Sequence, residues 1–152
     1  MLKTADTSSG EPPLTSGRPA VVLDTNVVLD WLLFADMSVT ALAAAVVTRQ
    51  VRWLATASMR DELAAVLHRG LADERHADPA ELLAAWDAHA TLVPPAPAHR
   101  LHCADPDDQK FIDLALCEGA RWLVSRDRAL LRLRRPALVL GLAVVKPQGW
   151  LL

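Results

Sequence analysis

Cysteine is scarce in this sequence, with only Cys103 and Cys117 among 152 residues. The two form no CxxC pair and no disulfide framework, which is compatible with a reducing compartment. No apolar run approaches the ~18 consecutive residues of a membrane span, and the N-terminus lacks the apolar segment of a signal peptide. We therefore expect a soluble, cytoplasmic protein that does not enter a membrane.

An excess of positive charge is also missing, since 16 Lys and Arg residues face 18 Asp and Glu residues and the net charge is −2. A nucleic-acid partner would have to be held by a local basic patch or by metal. What the chain does have is 52% apolar and 22% charged residues, a balance too apolar for a disordered protein. Its length of 152 residues predicts one domain with a real core.

Residues 1–18 are rich in Ser, Thr, Pro and Gly and have no periodicity, which predicts a disordered leader before a single domain at residues 19–152. Beyond the leader, predicted strands alternate with predicted helices, and this order favours an α/β fold with a mainly parallel sheet. Ser58 and Asp61 fit a capping box at the start of one helix. The predicted strands are residues 20–23, 51–55, 91–94, 121–125 and 138–145, the last kinked at Gly141.

Two acids stand where a predicted strand ends, Asp24 after AVVL and Asp127 after RWLVS. Sites in parallel sheets form beyond the carboxyl ends of the strands, which makes both residues candidates. The simpler interpretation is that Asp24 caps the next helix, because Asp is a favoured N-cap residue. Asp127 could equally cap a short helix or pair with a neighbouring Arg.

Helical angles add Glu62 and Asp108. Glu62 lies on the flank of an apolar helical face, where a carboxylate is costly unless it is paired or bound to a cation. Asp108 shares the direction of the apolar side chains that follow it, whereas Asp113 points to the other side. The alternatives are a salt bridge to an Arg for Glu62 and favourable placement at a helix N-terminus for Asp108. Asp105 is expected to be the N-cap of that helix, and Asp107 is left unassigned.

The four acids indicate a metal site more strongly together than any of them does alone. If they converge within ~5 Å, each like-charge pair costs about 3 kcal/mol at an effective dielectric near 20. Lys110 is the only lysine near any of them, and it is expected to point away from the Asp108 face. Because carboxylate oxygens suit Mg²⁺ or Mn²⁺, a divalent cation is the natural compensation. Such an ion activates water and neutralises phosphate.

The segments VVLDTNVVLDWLLF, MRDELAAVLHR and CADPDDQKFIDLALCEGARWLVSRDRALL together resemble the PIN domain. More closely, they are similar to the bacterial PIN proteins that serve as toxins of toxin–antitoxin systems, the VapC-like group. The resemblance runs from about residue 20 to residue 150. It implies a three-layer α/β/α sandwich around a parallel sheet, and hydrolysis of phosphodiesters, usually of RNA.

The resemblance also assigns residues. It implies that Asp24, Glu62, Asp108 and Asp127 are catalytic and hold Mg²⁺ or Mn²⁺, with Asp24 and Asp108 as the main ligands. Asn26 would help to hold the Asp24 loop, and Ser125 would occupy the small hydroxyl position. Whether Asp105 or Asp107 shares the metal stays open. The family further implies an RNA substrate, a cognate antitoxin and a homodimer.

Arginines cluster after the fourth acid, and Arg126 and Arg128 are the candidates for phosphate contacts. A solvated helix face is the plain alternative. Two other functions compete with the nuclease. One is a PIN-like scaffold that binds RNA or a partner without catalysis, which loss of an acid would indicate. The other is a haloacid-dehalogenase-type phosphohydrolase, which needs a second Asp where this chain has Asn26.

Overall fold

A computed structural model describes residues 17–152, apart from the side chain of Asp73. The predicted leader therefore lies outside the described residues, except for Gly17 and Arg18. Five parallel strands form one sheet in the order β3-β2-β1-β4-β5, and helices flank it. The α/β class and the parallel sheet are confirmed. The strands are β1 Ala20–Leu23, β2 Arg52–Ala55, β3 Ala90–Leu92, β4 Trp122–Val124 and β5 Ala143–Val145.

Helices connect the strands as the alternating pattern predicts. One-turn 3₁₀ segments at Met37–Val39, Pro106–Asp108 and Pro147–Gly149 and a π-helical turn at Leu67–Leu71 complete the connections. No single helix within residues 17–152 is long and apolar enough to cross a membrane. The segments Thr25–Leu32 and Met37–Val47 have the required length and hydropathy only when they are taken together, and a bend of 107° separates them. The helices are α1 Thr25–Leu32, α2 Thr40–Val47, α3 Ala57–Val66, α4 Ala72–Glu74, α5 Pro79–His89, α6 Gln109–Cys117, α7 Arg128–Leu131 and α8 Arg134–Val139.

The core lies on the sheet and explains the sequence of its strands. All four residues of β1 are buried, as expected for a central parallel strand covered on both faces. Helix α6 buries five consecutive residues from Phe111 to Ala115, and the four apolar ones belong to the core. Gly119 follows this helix at φ +65°, a left-handed conformation that glycine adopts without steric cost and that ends the helix.

Two local predictions are wrong. Residues 138–145 do hold the last strand, β5, but the predicted kink within it is wrong, because the apolar residues up to Val139 belong to α8 and Gly141 turns at φ +89° before the strand begins. Pro136 is tolerated in the first turn of that helix, where its missing N–H is not needed. Helix α3 begins at Ala57 with Thr56 as N-cap. The Ser58 hydroxyl shares a hydrogen bond with that of Thr56 at 3.1 Å and closes no capping box.

The sheet order positions the site. The chain leaves β1 toward β2 on one side, whereas β4 pairs with β1 on the other side. Strand order thus reverses at β1, and a crevice opens beyond the carboxyl ends of β1 and β4. The two ends stay in register there, since the Asp24 N–H donates to the Val124 carbonyl at 3.2 Å.

Candidate metal centre

Asp24 follows β1 directly, and only 3% of its surface is exposed. Its Oδ1 accepts a hydrogen bond from the Val27 N–H at 2.9 Å, so the residue does cap α1. Its Oδ2 accepts from the Ser125 hydroxyl. Burial raises the pKa of Asp24 to about 6, although both hydrogen bonds favour the charged form. The carboxyl therefore sits in a position where a nearby cation would restore its charge.

Ser125 and Asp127 stand beyond β4. Ser125 is fully buried, and its Oγ accepts a hydrogen bond from the Asp127 N–H at 2.9 Å while it donates to Asp24. Asp127 Oδ1 accepts from the Ala129 N–H at 2.8 Å and so caps α7. For Asp127 too, capping occupies one carboxylate oxygen. A functional role would use the other one.

Three acids come together in the crevice. Asp105, Asp108 and Asp127 each offer a carboxylate oxygen, and these oxygens lie within 4.8 Å of one another. Asp105 also caps the 3₁₀ turn, since its Oδ1 accepts from the Asp107 N–H at 3.0 Å. We call these three residues the acid trio.

Asp108 is the electrostatic centre of the trio. Burial, a hydrogen bond shared with Asp127 and the charges of its acidic neighbours raise the pKa of Asp108 to about 7. Its Oδ2 is buried and has no hydrogen-bond partner within the described residues. A buried oxygen left without a partner is costly, and three converging carboxylates compound that cost. A hard cation with oxygen ligands, such as Mg²⁺ or Mn²⁺, fits this donor set.

Glu62 takes a different position. In the described part of the chain it is not grouped with the trio, and its Oε1 pairs with Lys110 Nζ at 2.6 Å. Lys110 is expected from the sequence to point away from the Asp108 face, and the lysine forms its ion pair with Glu62, a contact that was not predicted. Its long side chain reaches from α6 to α3 and also donates to the Asp107 carbonyl at 2.6 Å. Glu62 and Lys110 lie on separate helices, so no pattern along one helix signals this pair.

The remaining candidate residues differ in their exposure and in their contacts. Asn26 is exposed and has no side-chain hydrogen bond within residues 17–152. The turn after β1 is instead closed by the hydrogen bond from the Val27 N–H to Asp24 Oδ1. The Asp107 side chain is exposed and lies outside the trio, so of the two extra acids it is Asp105 whose carboxylate lies near those of Asp108 and Asp127. Arg126 Nε pairs with Asp30 Oδ2 at 2.9 Å, and its NH2 donates to Ser38. This guanidinium is thus engaged within the protein, whereas Arg128 is exposed.

A trio of carboxylates at the carboxyl edge of a five-stranded parallel sheet defines a class, the α/β proteins with an acidic metal-type centre. A family model described as the PIN domain matches residues 20–129, a span that includes Asp24, Glu62 and the acid trio. The chain belongs to the PIN domain family. PIN domains are generally nucleases and typically use a divalent metal.

The fold is also similar to a solved structure. A chain in the crystal structure of VapBC2 from Rickettsia felis, bound to a DNA fragment from their promoter, superposes with a TM-score of 0.60. The two chains are 13% identical in sequence, and the match covers 82% of this chain and 96% of the other. No curated protein matches the sequence.

Proposed function

We propose that this protein is a metal-dependent endoribonuclease and the toxin of a toxin–antitoxin pair. The observation that carries the proposal is the acid trio, in which three carboxylates lie within 4.8 Å and Asp108 Oδ2 is buried without a partner. Such a cluster is unfavourable by itself and becomes favourable around a divalent cation. Membership of a family of nucleases supports the same conclusion.

Each residue of the site would have its own role. Asp105, Asp108 and Asp127 would hold Mg²⁺ or Mn²⁺, and Asp24 would add its charge from the floor of the crevice. A bound divalent ion lowers the pKa of water and neutralises a phosphate. Ser125 holds Asp24 and the Asp127 backbone in position. Glu62, on the neighbouring helix, would orient the attacking water or serve a second ion once it exchanges its pairing with Lys110.

The toxin role and the partner are supported by similarity. The VapBC2 structure is that of a complex bound to promoter DNA, and its fold likeness favours a cognate antitoxin for this chain. An RNA substrate is favoured by the resemblance of the motifs to the toxin group of the family. A homodimer remains a prediction on the same basis.

The test is cleavage of a generic single-stranded RNA by the purified full chain with Mn²⁺ or Mg²⁺. EDTA and the Asp24→Ala and Glu62→Gln variants are the loss-of-function arms. Asp61→Asn is the matched control for Glu62→Gln, because it removes an exposed acid from the adjacent position of the same helix. We expect cleavage by the wild-type and Asp61→Asn proteins, and none in EDTA or with Asp24→Ala.

Metal binding by calorimetry separates the outcomes. Mn²⁺ binding without cleavage, lost in Asp24→Ala, would indicate a narrow substrate at an intact site. Absence of both cleavage and Mn²⁺ binding would contradict the proposal and favour the scaffold hypothesis.

A further inference from the structure

A second concave surface, of about 440 Å³, lies along α7 and α8. Five of its six lining side chains are cationic, and all five are exposed. We call it the basic groove. Its lining residues are Arg128, Leu131, Arg132, Arg134, Arg135 and Lys146.

The cations of the basic groove lack acidic partners. Within the described residues none of the five forms an ion pair, whereas Arg60, Lys110 and Arg126 all do. Five like charges around one concavity repel one another, so an anion that enters is stabilised by all of them. On a chain with a net charge of −2, this concentration is a local feature and not a consequence of overall composition.

The groove adjoins the acid trio. Arg128 is the first residue of α7 and follows Asp127 directly, and Lys146 follows the last residue of β5, the strand next to β4. Both therefore lie at the carboxyl edge of the sheet. At the β3 end of that edge the surface is different, since the concavity there is lined mainly by apolar residues from Leu92 to Pro95.

We propose that the basic groove binds backbone phosphates of a single-stranded nucleic acid that flank the scissile bond on the β5 side of the acid trio. This inference rests on the proposed function and names how its substrate is held. An acidic crevice repels a polyanion, and a neighbouring cationic surface offsets that repulsion. Arg128 and Arg132 are four residues apart, at the start and at the C-cap of α7, and so share one face of that helix, while Arg134 and Arg135 begin α8 and line the same concavity. Guanidinium groups contact phosphate oxygens in pairs.

The test is binding of a fluorescent polyuridine oligonucleotide to the full chain in EDTA, by anisotropy at several salt concentrations. The variant is Arg132→Gln with Arg135→Gln. Its charge-matched control is Arg49→Gln with Arg69→Gln, two exposed arginines without ion pairs in the described chain, of which Arg49 precedes β2 at the opposite edge. Thermal unfolding verifies that each variant is folded.

We expect the groove variant to bind about tenfold more weakly at low salt. The slope of log K against log salt should also flatten by about 1.4, because each phosphate contact on a single strand contributes about 0.7. The control should bind as the wild type does. Unchanged binding by the groove variant, or an equal loss in the control, would overturn the proposal.

A polyglutamate peptide tested in the same assay distinguishes an acidic protein segment from a nucleic acid. Groove-dependent binding that is tighter for the peptide than for the oligonucleotide would overturn the proposal in favour of a protein partner. Because the assay contains no metal, it is independent of cleavage. If the protein neither cut RNA nor bound Mn²⁺ but still bound the oligonucleotide through the groove, the proposed function would be contradicted and phosphate binding by the basic groove would stand. Cleavage with unchanged binding by the groove variant would support the proposed function and contradict the groove assignment.

Discussion

The Ser125 hydroxyl donates a hydrogen bond to Oδ2 of Asp24, across 101 positions of sequence. Oγ of Ser125 in turn accepts a hydrogen bond from the backbone N–H of Asp127 at 2.9 Å. One fully buried hydroxyl thus ties the end of β1 to the end of β4 and sets the distance between two acids of the crevice.

Replacing Ser125 with Ala should therefore weaken both fold and site. Asp24 Oδ2 would remain buried without a donor, which costs roughly 1–3 kcal/mol in the free energy of unfolding. Loss of the donor also raises the pKa of Asp24 further, so Mn²⁺ binding near neutral pH should weaken. Urea denaturation and calorimetry measure the two effects. Ser58→Ala, whose hydroxyl bonds only to that of Thr56 within the described chain, is the control, and equal Mn²⁺ affinity in both variants would count against this role.

Asp108→Asn should separate stability from metal binding. In EDTA at pH 8 the substitution removes a charge that its acidic neighbours oppose, so the free energy of unfolding should rise by about 1 kcal/mol. The stabilisation by Mn²⁺ should disappear, because a ligand that binds only the folded state stabilises it in proportion to its affinity. Thermal unfolding with and without Mn²⁺ gives both quantities.

Asp113→Asn is the matched variant, on the helix α6 that Asp108 precedes as N-cap. Asp113 is buried but lies outside the trio, where its Oδ1 accepts from the His99 N–H at 2.9 Å and from Gln109 Nε2 at 2.8 Å. We expect it to lose stability in EDTA and to keep its response to Mn²⁺. If Asp108→Asn behaved in the same way, the acid trio would not be the metal centre.

The metal-free protein should become less stable as pH rises. Burial raises the pKa of Asp24 to about 6 and that of Asp108 to about 7, from the ordinary 3.8. The folded state therefore binds more protons than the unfolded chain in this range, and the free energy of unfolding contributed by these groups falls between about pH 4 and pH 7. It then levels off.

The pKa values of two other acids are lowered, so these acids stabilise the fold as pH rises, but at lower pH than Asp24 and Asp108 act. Hydrogen bonds from Ser38 and Arg60 lower the pKa of Asp36 and of Asp87, respectively, so their contribution is already present above pH 4. Denaturation in EDTA at a series of pH values measures the trend, and Asp108→Asn should flatten it. If the free energy of unfolding instead rose from pH 4 to pH 7 by the same amount in the wild type and in Asp108→Asn, the raised pKa of Asp108 would be contradicted.

Lys110→Gln should strengthen metal binding. Lys110 Nζ lies 2.6 Å from Glu62 Oε1, and this ion pair competes with any metal ion that Glu62 would help to hold. Removing it should raise Mn²⁺ affinity about two- to fivefold, the size of a partly exposed ion pair, and Glu62→Gln should have the opposite effect. Calorimetry on the two variants and on their double mutant measures the coupling. Weaker Mn²⁺ binding by Lys110→Gln would show that Lys110 supports the site.

Local chemistry made much of the fold predictable. The run AVVL is apolar because β1 is covered on both faces, and Asp78 and Asp105 precede proline because each caps a helical turn. The apolar run at residues 138–140 does not form a strand, because its exposed side chains belong to the last residues of α8 and its C-cap. A short apolar run has the same pattern in either structure.

The site was predictable as a set of acids at strand ends and helix faces, but not in its detailed geometry. Asp105 joins Asp108 and Asp127, while Glu62 pairs with Lys110. These contacts depend on how α3 and α6 pack against each other and on the rotamers of side chains with several rotatable bonds. Periodicity within one helix contains neither kind of information.

The pairing of β1 with β4 has a consequence for synthesis. On one side of β1, residues 21–23 pair with residues 122–124, and Asp127 follows those partners. Contacts this distant in sequence form late, since the intervening chain must first be made and closed into a loop. A nascent chain that ends before β4 has neither the Ser125 hydroxyl nor Asp127, so an interrupted translation product cannot assemble the acid trio.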